Sequence, residues 1–560
     1  MTSKETAPAA PGGPSRLAIF HYHLHPGGVT SVIILGVKAL LEFSSERFEE
    51  IILVSGSGEH LDALREELAE PAHRAGVRLT LTVLPEIGYG ESSGPPAGSR
   101  TEEEALARRL LDSWGGAVWW VHNYHLGKNP LFTQTLLRII RDRPEQPLLL
   151  QIHDFPESGR FENLKHLRNI LTLPVYPVSP NLRYLTISEA DREILIRAGI
   201  PREAAVLLAN PVELPADGSG RTGSPAGVPE NPDFRVAINE RIRKEWAPRF
   251  PGYRPEGSLA LCPVRTIRRK NILEAGLLAR LSPEPLNLAV TLPGVSRQEA
   301  PYSRLVESLF YRGIIPGIWG TGTAGGAGAL SLEELAGASD LILSSSVQEG
   351  FGYLFLHAGL WNRPLLARHL EVLDEILPAL PELPRRIYRR IPVSWPESGR
   401  RRTAAAYEAR FRELAPFLDA ALTEPLRSWL EDYLNAGAAE FSWLPADLQV
   451  EVLTAAAEDP GFLEAIRELN RDLLEDIRVL LSAPLPSPAG RQKTLKSADA
   501  VFGSRRFAFL LEGILDGLTA PEKPAILRGG APADERRVLE AFNRPENHRL
   551  LLQPYHGGKI

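Results

Sequence analysis

Short apolar runs alternate with amphipathic segments along most of this chain, and this alternation constrains the fold more than any other feature. The runs RLAIF, IILVS and AVWWVH are each followed by a segment with apolar side chains at helical spacing. Strands that alternate with helices form βαβ units, whose strands lie parallel in one sheet. The sequence therefore predicts an α/β protein built on doubly wound parallel sheets.

A Gly-, Pro- and Ser-rich stretch interrupts the alternation and predicts a linker or insertion over residues 214–257. The pattern then resumes, and 560 residues are too many for one hydrophobic core. We therefore predict two Rossmann-like domains facing a cleft, residues 16–213 and 258–400. Beyond residue 400, segments such as GFLEAIRELNRDLLEDIRVLLSA predict a mainly helical extension over residues 401–560.

Composition excludes several classes of protein. A formal net charge of -6 gives no overall attraction to nucleic acid, and no apolar run approaches the roughly 20 residues of a transmembrane helix. Residues 1–15 are polar and lack the apolar core of a signal peptide, so we predict a disordered tail and a cytoplasmic protein. Cys262 is the only cysteine, which excludes an internal disulfide framework and a Cys-based metal cluster.

The segment FHYHLHPGGVTSVI joins a predicted strand to a predicted helix through Gly27 and Gly28. Glycines at this point leave backbone N–H groups open to an anion such as phosphate at the helix N-terminus. A tight connection that needs glycine only for its backbone explains the segment equally well. Strand alternation places three histidines on one side, but nothing indicates a fourth ligand, so we predict no metal site. They are His21, His23 and His25.

A basic loop follows the predicted strand LALCPV and carries Arg265, Arg268, Arg269 and Lys270. Open α/β sheets bind ligands at the carboxyl ends of their strands, and a diphosphate is the anion that such cations would hold. Taken alone, the stretch is explained as well by a solvated basic loop.

The predicted strand DLILSSS leads into Glu349, Gly350, Phe351 and Gly352, and then into the apolar helix YLFLHAGLW. A carboxylate at this helix end is poorly placed for phosphate but well placed to accept hydrogen bonds from sugar hydroxyls. The preceding tract GTGTAGGAG contains GxGxxG, but Asp340 stands before the next strand instead of at its end. We therefore predict a flexible loop there and not a dinucleotide site.

These motifs together resemble the GT-B glycosyltransferases, specifically the retaining family 4 of nucleotide-sugar-dependent enzymes. PGGVTSVI is similar to the family's N-terminal glycine loop, and LLLQIHDF to the strand that ends in its active-site histidine. VRTIRRKN is similar to the loop whose Arg and Lys hold the donor diphosphate, and EGFGYLFLHA to the glutamate motif. The resemblance covers about residues 16–400, and its parts occur in the family's order.

The resemblance implies a retaining hexosyltransferase that needs no cofactor. It would transfer a sugar from a UDP-, GDP- or ADP-linked donor to an unidentified carbohydrate, small-molecule or lipid-linked acceptor. The implied catalytic residues are Glu349, Lys270, Arg265 and His153. The implied donor-binding residues are Gly27, Gly28, Gly350, Phe351, Gly352 and His357.

Two positions depart from the family pattern. His357 stands where a second glutamate normally accepts hydrogen bonds from the nucleotide ribose, and Asn362 stands where a small residue, often glycine, precedes the next strand. A neutral histidine accepts one such bond where a carboxylate accepts two. This substitution and the helical extension keep open the alternative of a catalytically impaired GT-B-like binding or scaffold protein. A GT-B sugar phosphorylase or nucleotide-sugar epimerase, which would share the phosphate-binding residues, is a further alternative.

Overall fold

The computed structural model describes residues 15–89, 100–214, 232–322, 329–520, 527, 530–553 and 555. The predicted tail, except for its last residue, lies outside these ranges, as do residues 215–231 of the predicted linker and residues 323–328 of the glycine-rich tract. Within the described ranges, no helix is long and apolar enough to cross a membrane. The chain forms two compact units, one made of the residues up to Val212 with Phe502–Ala541, the other of Glu213–Val501 with the residues from Phe542 onward.

The first unit contains a seven-stranded sheet in which all the strands are parallel, in the order β3-β2-β1-β4-β5-β6-β7. Strands β2, β4, β5 and β6 are buried at every residue, as expected for a parallel sheet covered on both faces. The strands are β1 (Arg16–His21), β2 (Glu50–Ser55), β3 (Arg78–Val83), β4 (Val118–His122), β5 (Leu148–Ile152), β6 (Leu182–Thr186) and β7 (Ala205–Leu207).

Helices connect these strands in the βαβ pattern that the sequence predicts. Helix α4 begins after Asn129, whose side chain accepts a hydrogen bond from the Phe132 amide, and the helix after β6 begins after Ser188, which caps it in the same way. The helices are α1 (Gly28–Phe43), α2 (Leu61–Ala75), α3 (Arg100–Trp114), α4 (Pro130–Asp142), α5 (Phe161–Ile170) and α6 (Glu189–Arg197).

The second unit contains a six-stranded parallel sheet, in the order β10-β9-β8-β11-β12-β13, and a separate antiparallel pair, β14 and β15. Because β8 and β11 are neighbours, the loops that follow them meet at one edge of the sheet. The strands are β8 (Ser258–Arg265), β9 (Leu286–Leu292), β10 (Gly317–Trp319), β11 (Leu341–Ser344), β12 (Leu365–Arg368), β13 (Arg385–Tyr388), β14 (Pro392–Val393) and β15 (Ala439–Glu440).

Helices dominate the second unit after β14, where the sequence predicts a mainly helical region. The helices that accompany the sheet are α7 (Pro232–Arg241), α8 (Ile272–Leu281), α9 (Ala300–Tyr311), α10 (Leu332–Ala338), α11 (Tyr353–Leu360) and α12 (Glu371–Ile376). Those of the C-terminal region are α13 (Gly399–Leu414), α14 (Ala420–Asn435), α15 (Ala446–Glu458), α16 (Pro460–Leu469), α17 (Arg471–Ser482) and α18 (Pro488–Phe502).

The chain then returns to the first unit through α19 (Ser504–Thr519) and α20 (Glu535–Phe542). Helix α19 packs on α1 and completes the core there, and Gly36 lets the two helices approach closely, since a Cβ at this position would lie 3.3 Å from the Phe507 ring. The predicted α/β class, with two Rossmann-like sheets and a mainly helical C-terminal region, is confirmed. The proposed domain boundaries at residues 213 and 257 stay predictions.

Candidate functional site

Lys270 and Glu349 form an ion pair at the carboxyl edge of the second sheet. Lys270 closes a short helical turn after β8, and Glu349 lies in the loop after β11. The Lys270 ammonium contacts Oε1 of Glu349, while Nη1 of Arg269 donates a hydrogen bond to its Oε2 at 3.1 Å. The side chains of Lys270 and Glu349 are only 12% and 9% exposed. The structure thus brings together two of the four predicted catalytic residues in a partly desolvated site.

The charge of Glu349 is fixed by its neighbours. Burial by itself would raise the pKa of this carboxyl, but Lys270 and Arg269, with hydrogen bonds from Lys270 and Ser346, lower the pKa to about 2. Burial also lowers the pKa of Lys270, an effect that the Glu349 carboxylate opposes. Lys270, Arg269 and Glu349 together carry one net positive charge. The cluster therefore attracts an anion and still offers a carboxylate oxygen to hydroxyl groups.

Hydrogen bonds to backbone carbonyl oxygens join the loop after β8 to the loop after β11. The Val347 amide donates a hydrogen bond to the carbonyl oxygen of Arg269 at 2.9 Å, and the Ser345 hydroxyl donates to that of Asn271 at 2.9 Å. Asn271 directly precedes α8 in a left-handed conformation with φ of 51°. Its side chain donates to Glu274 instead of capping the helix. The ion pair is thus positioned by two loops that are bonded to each other.

The other predicted cations of the basic loop differ in their surroundings. Arg265 is exposed at the end of β8, and among the described residues it forms no ion pair. Arg268 is buried and pairs with both carboxylate oxygens of Glu299, and its Nη1 donates to the Leu552 carbonyl oxygen at 3.0 Å. Arg268 therefore serves the structure of the loop, whereas Arg265, Arg269 and Lys270 leave positive charge at the sheet edge.

The glycines after Glu349 shape the start of α11. Gly352 directly precedes this helix with φ of 86°, and a Cβ there would lie 2.7 Å from the Phe355 ring. Gly350 is exposed, whereas Phe351 is buried and packs edge to face on Tyr353 at 4.9 Å. The first turn of α11 therefore begins four residues after Glu349, and the Phe355 amide donates to the Gly352 carbonyl oxygen at 3.0 Å.

His357 lies one helical turn after Tyr353, between two aromatic rings. Its ring stacks on Trp361 at 5.0 Å with an interplanar angle of 11°, and it lies 6.3 Å from the Tyr353 ring. Burial lowers the pKa of His357 to about 4, so the ring is neutral near pH 7. A neutral imidazole therefore occupies the position where the family that the motifs resemble carries a carboxylate.

In the first unit, Gly27 and Gly28 are exposed at the start of α1. Gly27 is the residue before the helix, and no atom lies within 4 Å of a Cβ built on Gly28. Neither glycine is therefore required by packing. The Thr30 hydroxyl donates to the carbonyl oxygen of His25 at 2.7 Å and holds the turn closed. The space above the helix start agrees with a ligand-facing turn, and the role of the two glycines stays a prediction.

His153 follows β5 and belongs to a group of buried histidines. Its Nε2 lies 2.9 Å from Nδ1 of His122, so one ring donates and the other accepts, and its backbone amide donates to Oδ1 of Asn123. Burial lowers the pKa of His153 to about 3, and burial also lowers the pKa of His21 to about 3. Among the described residues, no group of His, Cys, Asp and Glu side chains is arranged to hold a metal ion.

Two contributors to this site were not among the predicted site residues. Arg269 contacts Glu349 directly, and its position beside Lys270 was the signal that could have identified it. Ser346 bonds to the same carboxylate. The three serines at the end of the predicted strand DLILSSS were the sequence feature that could have identified it. A third feature, the buried bidentate pair of Arg368 with Glu274, has no signal in the sequence because the two residues are far apart in the chain.

Solved structures similar to this chain include HepE from Anabaena in complex with UDP and glucose, with 11% identity and a TM-score of 0.49 over 90% of this chain and 99% of that chain. Sucrose-phosphate synthase from Thermosynechococcus elongatus has 12% identity and a TM-score of 0.49 over 91% and 100%. No family model matches the sequence.

A curated relative is much more similar in sequence. The chain is 30% identical over 478 residues to the mannosylglucosyl-3-phosphoglycerate synthase of Petrotoga mobilis. The aligned region covers 84% of this chain and 86% of the relative. The similarity therefore extends over both units and beyond the individual motifs. The protein belongs to the mannosylglucosyl-3-phosphoglycerate synthase family of glycosyltransferases.

Proposed function

We propose that the protein transfers a mannosyl residue from a nucleotide diphosphate sugar to glucosyl-3-phosphoglycerate, with retention of the anomeric configuration. The acceptor follows from the product that names the Petrotoga relative, in which mannosyl is the outermost sugar. The observation that carries the proposal is the buried contact of Lys270 and Arg269 with Glu349, since it combines surplus positive charge with an ionised carboxylate. Retention is implied by the resemblance to family 4.

The proposed reaction needs stabilisation of a leaving diphosphate. When the bond from the anomeric carbon to the diphosphate breaks, its electron pair stays on the diphosphate oxygen. Lys270, Arg269 and Arg265 would stabilise that negative charge, as fixed cations do in a site with little water. An acceptor hydroxyl oxygen forms the new bond to the anomeric carbon, and its proton passes to the departing diphosphate on the same face.

Glu349 would orient the transferred sugar. Its carboxylate has about four lone-pair sites and would therefore accept a sugar hydroxyl in addition to the bonds from Lys270, Arg269 and Ser346. We propose that Gly350, Phe351, Gly352 and His357 line the donor site, that Gly27 and Gly28 offer amides to phosphate, and that His153 contacts the sugar or the acceptor.

The proposal is tested with purified protein, glucosyl-3-phosphoglycerate and UDP-, GDP- or ADP-mannose, with detection of the free nucleotide and of the anomeric proton of the product. We expect one donor to be used, and Lys270→Ala and Glu349→Ala each to lower kcat/KM by roughly 100-fold or more. The exposed ion pair of Lys493 with Glu382 provides the matched controls Lys493→Ala and Glu382→Ala, which should leave kcat/KM unchanged.

Three results would contradict this proposal. One is that no donor is used, and another is that the Lys270 and Glu349 variants keep full activity. The third is phosphate-dependent release of a sugar 1-phosphate, which would identify a phosphorylase instead of a nucleotide-sugar-dependent transferase.

A further inference from the structure

Two cations of the first unit lie together at the carboxyl edge of its sheet, apart from the residues discussed above. Lys128 belongs to the loop after β4, Arg160 to the loop after β5, and Tyr89 follows a short turn after β3. The Lys128 ammonium lies 5.5 Å above the Tyr89 ring. Lys128 and Arg160 lie in the loops that follow two neighbouring strands, β4 and β5, and the charge of Arg160 acts on both Lys128 and Tyr89.

Lys128 is a half-buried cation whose charge is not balanced. Among the described residues it contacts no carboxylate, and the charged group that acts on it is another cation, Arg160. Burial and then Arg160 lower the pKa of Lys128, so both act against its charge. Arg160 pairs with Asp154, so Lys128, Arg160 and Asp154 together carry one net positive charge. Such an arrangement is unfavourable until an anion binds to it.

The loop that carries Lys128 is held rigidly. The Asn129 side chain donates hydrogen bonds to the carbonyl oxygens of Glu86 and Gly88, at 2.8 Å and 2.6 Å, which joins this loop to the turn before Tyr89. On its other side, the Asn163 side chain donates to the Leu126 carbonyl oxygen at 2.7 Å.

Gly127 allows this close approach to α5. It has φ of 68°, and a Cβ there would lie 2.8 Å from the Asn163 carbonyl oxygen. The backbone on both sides of Lys128 is thus held before any ligand binds, as a specific binding site requires.

Aromatic and histidine rings extend the cluster along the loop after β1. The Tyr89 ring lies 4.7 Å from that of His23 and 5.5 Å from that of Tyr22, and the rings of His23 and His25 lie 4.6 Å apart. Tyr89 is 55% exposed, so its ring and hydroxyl are accessible. A cationic end beside flat, hydrogen-bonding rings matches a ligand with a phosphate at one end and a sugar at the other.

We propose that Lys128 and Arg160 bind the phosphate of the phosphoglycerate part of the acceptor and thereby select an anionic acceptor. This inference rests on the proposed function and adds to it the residues that recognise the acceptor. The ammonium supplies a point charge, and the guanidinium has further N–H donors beside the one that it gives to Asp154. The Tyr89 ring covers the Lys128 ammonium on one side and limits its hydration.

The test compares two acceptors, glucosyl-3-phosphoglycerate and glucosylglycerate, which lacks the phosphate. We expect Lys128→Gln to raise KM for the phosphorylated acceptor roughly 10- to 100-fold, to change KM for glucosylglycerate much less, and to leave KM for the nucleotide sugar unchanged. Lys128→Arg should restore most of the loss. Lys165→Gln, at an exposed lysine of α5, is the control for the loss of a positive charge and should behave as the unmodified protein.

A separate binding measurement distinguishes failure of this inference from failure of the proposed function. Calorimetric titration with 3-phosphoglycerate should show binding to the unmodified protein and to Lys165→Gln, and binding weakened at least about 10-fold in Lys128→Gln. That result supports the anion site even if no sugar is transferred to either acceptor. The inference is overturned if 3-phosphoglycerate does not bind, if it binds Lys128→Gln equally well, or if Lys128→Gln raises KM for both acceptors alike.

Discussion

Asn362 has a left-handed backbone conformation, with φ of 54°, two residues after the end of α11. Its amide donates to the Gly359 carbonyl oxygen at 3.2 Å, and the Arg363 amide donates to that of Ala358 at 2.9 Å. This pair of bonds is a Schellman motif, in which glycine is preferred and asparagine is tolerated. Asn362, which departs from the sequence pattern of family 4, therefore keeps the backbone conformation that glycine usually supplies.

Replacement of Asn362 should show this requirement. Both Asn362→Gly and Asn362→Ala remove the side chain, but only alanine places a Cβ in the left-handed region. We expect Asn362→Ala to have a free energy of unfolding about 1 kcal/mol lower than that of Asn362→Gly. Urea denaturation of both variants measures this difference.

Asn435, the exposed last residue of α14, is the matched control. Its conformation is helical, so alanine should be at least as stabilising as glycine there. Equal stability of the two Asn362 variants would contradict the strain argument.

Glu157 is a buried carboxyl group of the first unit. We expect it to make the stability of the folded protein depend on pH. The Tyr176 hydroxyl donates to Oε2 of Glu157 at 3.1 Å, and the side chain is 2% exposed. Burial raises the pKa of Glu157 from 4.5 to about 7, a shift that the Tyr176 bond and Arg168 oppose and Glu535 increases. The folded protein therefore keeps this proton to a higher pH than the unfolded chain does.

The stabilisation from this group should be complete below pH 4.5 and lost as the pH rises through about 7. Because Glu157→Gln has no such proton to lose and still accepts the Tyr176 bond, its unfolding free energy relative to the unmodified protein should rise by up to roughly 3 kcal/mol over this range. Unfolding temperatures of both proteins between pH 5 and pH 8 measure the effect. A constant difference across the range would show that Glu157 is not protonated in the folded state.

Single residues of the candidate site were predictable where a sequence motif contained them. The basic loop and the EGFG segment both follow strands of one parallel sheet, so their position at the same sheet edge was predictable. The contact of Lys270 with Glu349 also depends on β8 and β11 being neighbours, which the pattern did not predict. The pairing of Arg268 with Glu299 was not predictable, because four cations within six residues do not indicate which side chain turns inward. The unbalanced charge of Lys128 likewise depends on side chains from three separate loops.

At the scale of elements, α19 shows most directly how one helix completes a core. Phe507 is 3% exposed and its ring lies 6.2 Å from that of Trp120, whereas Phe509, two residues later, is 65% exposed. Leu511, Leu515 and Leu518 continue the buried side of the helix at helical spacing. The helix was predictable from this spacing, but the surface on which it packs was not, because any apolar face satisfies the same pattern.

The two phenylalanines provide a matched pair of substitutions. Phe507→Ala should lower the free energy of unfolding by roughly 3 to 5 kcal/mol, because it leaves a cavity against α1 and Trp120. Phe509→Ala should lower it by less than about 1 kcal/mol, since this ring already contacts solvent. The loss of the native Trp fluorescence signal on heating, with limited chymotrypsin digestion as a second measurement, compares the variants. Equal effects at the two positions would contradict the packing of α19.

At the scale of the whole molecule, the alternation of apolar runs and helices was sufficient to predict two parallel sheets. It did not determine the order of the strands, in which β1 and β8 lie near the middle of their sheets, because strand order depends on how helices cross over a sheet. Nor did it indicate that the C-terminal helical region contributes to both units. The composition changes little between α18 and α19, so it does not indicate that the chain passes from the second unit to the first between these helices.

The return of the chain to its first unit has a consequence during synthesis. A ribosome completes the seven strands of the first sheet early, yet it delivers α19 only after the whole of Glu213–Val501 has been made. Throughout that interval the nascent chain exposes the apolar side of α1, a surface that chaperones bind and that favours aggregation. The unit that starts to fold first therefore has to wait for α19, and premature termination near residue 501 would release it with this surface uncovered.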